Sequence, residues 1–164
     1  MKKKINLSSR IFLINKPFKK KEFYHYLKTP ELSLVIPEVM KGKFLIVSQK
    51  REPINKVNYE FPSGIIDKNE SPKNAAVREL FEETGFKLVE KPKKIFSFYS
   101  EPGRLITKNY CFYSNKLIRK RKPEKGIKIH FFTLKEIENL IKKEKFNSAS
   151  HIAALYYYLK TKGV

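Results

Sequence analysis

The segment GIIDKNESPKNAAVRELFEETGF (64–86) constrains the fold most tightly. Ser71 followed by Pro72 makes an N-cap and first-turn pair, and Gly85 suits the position just past a last turn. Together they predict a helix over about 72–83. At 100° per residue, with Glu79 at zero, Glu83 falls at about 40° and Glu82 at about −60°. Ala76 with Leu80, and Val77 with Phe81, supply apolar surface on the other faces, so the helix can pack while presenting its acids on one side. Like charges at these spacings repel by a few tenths of a kcal/mol per pair, so something must compensate them. Hard divalent cations take carboxylate oxygens, and Mg²⁺ binds through a few carboxylates plus substrate phosphates. Arg78, one turn before Glu82, and Glu70, just ahead of the N-cap, are placed to clamp each other and hold the loop onto the helix.

That local acidity stands out in a basic chain. Thirty-six Lys and Arg against 16 Asp and Glu leave a net charge of +20 over 164 residues. Such a balance can steer polyanions. It is equally what a genome biased toward Lys, Ile, Asn, Phe and Tyr codons would encode. Only six of the basic residues are Arg, the type suited to bidentate phosphate contacts, so nucleic acid is not the expected partner. The single Cys111 excludes an internal disulfide and suits a reducing cytoplasm. At the N-terminus, MKKKINLSSRIFLI sets lysines before apolar residues as a secretory leader does, but Ser8, Ser9 and Arg10 interrupt the run. No segment approaches the roughly 18 apolar residues of a membrane span. The expectation is one soluble cytoplasmic domain, with no membrane partner.

Strands are predicted at 10–15, 23–28, 32–36, 43–49, 94–100, 109–114 and 126–132, each rich in β-branched or aromatic residues. Thr133 with Glu136 forms a capping box that opens a helix, and Ser148 is placed to cap a last one. Strands outnumber helices, one helix is central and two are terminal. The pattern predicts an α+β or α/β fold, a mixed sheet flanked by helices.

The central segment resembles the Nudix hydrolase box, G-x5-E-x7-R-E-U-x-E-E-x-G-U, where U is a bulky aliphatic or aromatic residue. Gly64, Glu70, Arg78, Glu79, Leu80, Glu82, Glu83, Gly85 and Phe86 match it without departure. The resemblance implies an α/β/α sandwich and hydrolysis of nucleoside diphosphates linked to another moiety, with Mg²⁺ or Mn²⁺. It further implies Glu79 and Glu83 as principal metal ligands, Glu82 as a further ligand or water-positioning group, and a loop carbonyl of Ser63 or Gly64 as another donor. Glu70 and Arg78 take the structural positions of the motif.

Beyond the box, VSQKREPINKVNYEFPSGIID is similar to the approach to the box in ADP-ribose and ADP-sugar pyrophosphatases. There Arg51 matches an arginine that holds substrate phosphate; as a plain residue it also reads as a surface cation at a strand end. FYSEPGRL resembles the S-P-G element of ADP-ribose hydrolases, which makes Pro102 and Gly103 substrate-side residues. Here, however, Glu101 separates serine from proline, and Arg104, Thr107 and Lys108 stand where an acid is usual. The resemblance spans roughly 30–160, leaving 1–28 as an N-terminal strand region through which relatives form homodimers. It also implies a general base on a later loop. Glu124 is the only acid between Glu101 and Glu136 and therefore the candidate, with a solvated turn residue as the alternative. His25, His130 and His151 share no metal-ligand spacing, Cys111 reads as core, and Tyr156, Tyr157 and Tyr158 suit packing or a subunit contact. Phe98 and Tyr99 fit either strand burial or stacking on a base. The implied substrate is a small nucleotide, ADP-ribose or an ADP-sugar. RNA 5′ ends, dinucleotides or nucleotide sensing without cleavage are the competing functions.

Overall fold

A computed structural model describes residues 3–19 and 22–163; the lysine runs at 2–4 and 19–21 fall partly outside them. The first strands are β1 (Lys3–Asn6), β2 (Phe12–Lys19) and β3 (Glu22–Lys28), followed by β4 (Leu32–Met40), β5 (Lys43–Arg51), β6 (Lys56–Glu60) and β7 (Ser63–Ile65). Helix α1 (Pro72–Thr84) leads to β8 (Phe86–Leu88), β9 (Lys93–Tyr99), β10 (Leu105–Ile106), β11 (Lys108–Ser114), β12 (Leu117–Arg119) and β13 (Lys128–Thr133). The chain then forms α2 (Leu134–Lys142) and α3 (Ala149–Thr161).

The central sheet runs β13-β5-β4-β11-β9, with β6 on β5 and β7 on β4. It is mixed, since β11 is parallel to β4 while its other neighbour β9 is antiparallel. Period-two alternation makes it two-sided. Leu34, Ile36, Phe44, Ile46 and Cys111 face one core with Ile137 of α2 and Ala154, Leu155 and Tyr158 of α3. Val35 and Phe112, the intervening residues, face α1 through Ala76 and Leu80. The expected sandwich of helices around a mixed sheet is thus what forms.

One feature of the sheet positions the site. β4 meets β5 at its far end (Glu38↔Phe44) but β7 at its near end (Leu34↔Ser63). The two long strands therefore splay, and Pro62 to Ile65 pair with β4 in the place β5 leaves, fixed by Val35 N–H on Pro62 O at 3.1 Å. A second, N-terminal sheet runs β1-β2-β3-β10.

The predicted caps form at two helices. Ser71 Oγ accepts from Asn74 N–H at 3.2 Å, and Thr133 and Glu136 make the reciprocal box. Ser148 precedes α3 as expected but caps no backbone N–H; its hydroxyl pairs with Ser150 at 3.1 Å instead. Strands β1, β6, β7, β8, β10 and β12 were not expected from composition. All but β6 have four residues or fewer, too short to show a period. The strand expected from 126 starts at Lys128, because Gly126 turns the chain at φ 92°. Of the three terminal tyrosines Tyr158 is buried, while Tyr156 and Tyr157 are exposed. Tyr158 and Tyr113 both donate to the Glu38 carboxylate and so tie α3 to the sheet.

Candidate active site

α1 carries the acids and the backbone of 63–65 lies beside them. Arg78 occupies the centre of this arrangement. Its Nε and Nη2 donate to the two carboxylate oxygens of Glu70 at 3.0 and 2.9 Å, and Nη2 also reaches Ile65 O at 2.9 Å. One guanidinium thus holds the loop before α1 by a side-chain fork and a backbone contact, the clamp that the spacing of Glu70 and Arg78 suggests. The hydrogen bonds from Arg78 hold Glu70 below the usual carboxylate range.

The three box carboxylates do not converge on one point. Arg78 Nη1 lies 2.7 Å from Glu79 Oε1 and 2.9 Å from Glu82 Oε2, so these two share an internal cation. Glu83 turns the other way, accepting from Ser63 N–H at 3.0 Å and, at 3.4 Å, from the Gln49 amide. Among the described residues no three acids, histidines or cysteines are close enough as they stand to enclose an ion.

Burial separates the three chemically. Glu82 is half exposed. Glu83 is 7% exposed; burial, with Glu79 and Glu60 nearby, pushes its carboxyl up to about 8 against the Ser63 N–H and the Arg51 charge. Burial also raises Glu79, although Arg78 opposes the shift. Gly64 is what lets Glu79 lie there, since a Cβ at that position would overlap the carboxylate.

Beside Glu83, one face of the β5–β6 hairpin presents Gln49, Arg51, Asn58 and Glu60, alternate residues of two paired strands with Gln49 opposite Asn58. Arg51 Nε donates to Glu60 Oε1 at 2.9 Å and its Nη2 to Glu60 Oε2, while Asn58 donates to Glu60 at 2.7 Å. Arg51 is therefore no free cation at a strand end. Burial alone would raise Glu60, but Arg51, His151 and Asn58 hold it below its ordinary value. Gln49, Asn58 and Glu60 are functional-site residues beyond those expected from the motifs. The signal was their alternation, Q-x-R against N-x-E, on two strands joined by a short turn.

Glu124 lines a cavity of about 300 Å³ whose other walls include Glu82, Arg121, Lys122 and Pro123. Pro102 and Gly103 are placed elsewhere. Gly103 O accepts from Tyr24 and Arg104 O from Leu27 N–H at 2.8 Å, which ties their loop to the N-terminal sheet. No hydrogen bond among the described residues links them to the box.

A family model described as the NUDIX domain matches residues 29–155, most of the chain. The chain belongs to the Nudix family. As a Nudix protein it is a pyrophosphohydrolase. It is 29% identical over 140 residues to the ADP-ribose pyrophosphatase of Bacillus subtilis (strain 168), across 82% of this chain and 75% of that protein. It is also 29% identical over 137 residues to the methanol dehydrogenase activator of Bacillus methanolicus, across 80% and 73%. A crystal structure of an ADP compounds hydrolase superposes with a TM-score of 0.80 at 19% identity, covering 99% of this Nudix chain and 94% of the other, a likeness of fold. Among the described residues no helix is long and apolar enough to cross a membrane.

Proposed function

We propose that this Nudix enzyme splits the diphosphate of ADP-ribose or an ADP-sugar into AMP and a sugar phosphate. The observation that carries the reading is the buried Glu83 with the partly buried Glu79 beside it, against the Ser63–Gly64 backbone. Burial raises both carboxylates, Glu79 adds to the shift of Glu83, and Glu83 makes no ion pair among the described residues. Such hard oxygen donors fit Mg²⁺ or Mn²⁺. Glu79, Glu82 and Glu83 would hold the ions together with a carbonyl of Ser63 or Gly64. Ions held there would supply charge neutralisation for the diphosphate and a more acidic water.

The remaining steps belong to the chain itself. Arg78 fixes the loop so that its carbonyls keep their register with α1. Ser63 N–H orients Glu83. Glu60 holds two edges of the Arg51 guanidinium, leaving Nη1 without a hydrogen bond among the described residues and available to a phosphate oxygen. Glu124, across a cavity from Glu82, accepts the proton of the attacking water. The Pro102–Gly103 loop borders the second moiety of the substrate. Residues 1–28 pair with a second copy through exposed apolar side chains such as Ile5, Phe18 and Phe23, and 30–160 form the catalytic core. The free, buried Cys111 suits the cytoplasm.

The test is a substrate panel with Mg²⁺ and with Mn²⁺: ADP-ribose, ADP-glucose, NADH, FAD, GDP-mannose, diadenosine polyphosphates and triphosphorylated RNA. AMP release from ADP-ribose, lost in Glu83→Gln, is the expected result. Activity on RNA alone would favour a second reading, supported by the basic run Arg119 to Lys122 beside the cavity. Turnover that survives Glu83→Gln would remove the metal site from the mechanism. Binding of ADP-ribose without any cleavage would leave a sensing module.

A further inference from the structure

The segment after β12 is pinned to the end of α1 by more than strand pairing. β12 pairs with β8 from Leu117↔Leu88 to Arg119↔Phe86. The ladder then continues onto the helix terminus, where Gly85 O accepts from Lys120 N–H at 2.9 Å and from Arg121 N–H at 3.2 Å. Gly85 has φ 73°, and a Cβ there would collide with the Arg121 carbonyl, so only glycine allows this approach. The Arg121 guanidinium lies 4.5 Å from the centroid of the Phe81 ring. Its Nη2 is 3.4 Å from both Phe81 O and Glu82 O.

These are last-turn carbonyls, the negative end of the helix dipole, and α1 has no basic residue of its own in that turn. Arg121 supplies the missing charge from a distant part of the chain, and its planar head can stack on a ring and point at carbonyls together. From that anchor the chain runs through Lys122 and Pro123 to Glu124, walling the cavity that Glu82 closes from the helix side. Glu124 O accepts from Ile127 N–H at 3.2 Å, and the chain then enters β13 on the central sheet. The segment is held at both ends, and Arg121 is the side chain that fixes its near end to the carboxylate helix.

We infer that Arg121 is a positioning residue, which docks residues 120–125 on the C-terminal turn of α1 and so sets Glu124 opposite Glu82. The inference rests on the reading of the box helix as the reaction centre. Arg121 holds the segment to the helix through the Phe81 ring and the last-turn carbonyls, not through either carboxylate, so the docking does not depend on an ion pair.

Steady-state hydrolysis of ADP-ribose with Mg²⁺ by wild type, Arg121→Ala, Arg121→Lys, Glu124→Gln and the Arg121→Ala/Glu124→Gln double variant tests this. Arg121→Ala is expected to lower kcat about tenfold with KM within about twofold, with Arg121→Lys in between. In the Glu124→Gln background the Arg121→Ala change should cost nothing further, because the group it positions is already gone. Losses that multiply, a Glu124→Gln variant with full turnover, or an effect on KM alone would overturn the inference. Amide hydrogen exchange of the intact proteins reads the docking without turnover: residues 120–127 should exchange faster in Arg121→Ala while the central sheet is unchanged. Equal exchange would also overturn it. Should wild type cleave nothing in the panel, the proposed function fails, and the exchange result still decides whether Arg121 docks the segment.

Discussion

Glu83 has one firm hydrogen bond, from Ser63 N–H, and almost no solvent. Burying a carboxylate on those terms costs free energy unless a cation offsets it. Its carboxyl lies near 8 when folded and in the ordinary range when unfolded, so the native state binds the extra proton between those values. Its contribution to stability is therefore present below about pH 4.5 and lost as pH rises toward 8. In chelator, Glu83→Gln should stabilise the fold at pH 9 by about 1–3 kcal/mol, with the gain shrinking toward pH 5 in denaturant titrations. The same substitution should lower turnover by about a hundredfold or more. Gly64 tests the neighbouring contact. Gly64→Ala forces the flexible Glu79 carboxylate off the backbone, with an expected stability cost of about 1 kcal/mol or less but a loss of most activity, read by unfolding and AMP release. That the motif wants glycine at 64 is legible in the sequence; that Glu79 is the reason is visible only with the side chain in place.

At the level of elements, α1 was legible almost to the residue because its signals are local. Ser71 and Pro72 start it, Gly85 ends it, and the structure extends it one residue past the expected 83. Ser71→Ala removes the bond to Asn74 N–H and should cost about 1 kcal/mol. Gly85→Ala should cost more than Gly42→Ala. Both glycines have positive φ, 73° and 77°, but Gly42 faces open space whereas Gly85 faces the Arg121 carbonyl. The difference in urea midpoint stability isolates that collision, and about 1 kcal/mol or more is expected. The short strands were illegible for the opposite reason. β7, β8, β10 and β12 have two or three residues each, and what makes them strands is the partner, β4, β12, β3 and β8 respectively.

The whole molecule is organised around a two-sided sheet, and His151 reports on how well the far side is closed. It accepts from Phe61 N–H at 3.1 Å between Phe61 and Phe146, and burial lowers it to about 4, with Glu60 opposing. Because the folded value lies below the unfolded 6.5, this group's stability is intact above pH 6.5 and falls as pH drops toward 4. His151→Gln keeps an acceptor and does not titrate. The stability gap between wild type and this variant should shrink by up to about 3 kcal/mol from pH 7 to pH 4, measured by chemical unfolding. A gap independent of pH would place the proton elsewhere. Read as a chain, these residues already specify a carboxylate helix, its caps, the Glu70–Arg78 clamp and the alternation that demands helices on both faces of a sheet, since each depends on spacings of a few residues. The division of the three carboxylates between Arg78 and Ser63, the commitment of Arg51 to Glu60, and the docking of Arg121 at Gly85 depend on strands that splay and on segments far apart in the chain. Such contacts come into being only when the sheet closes and burial decides which charges must share a partner.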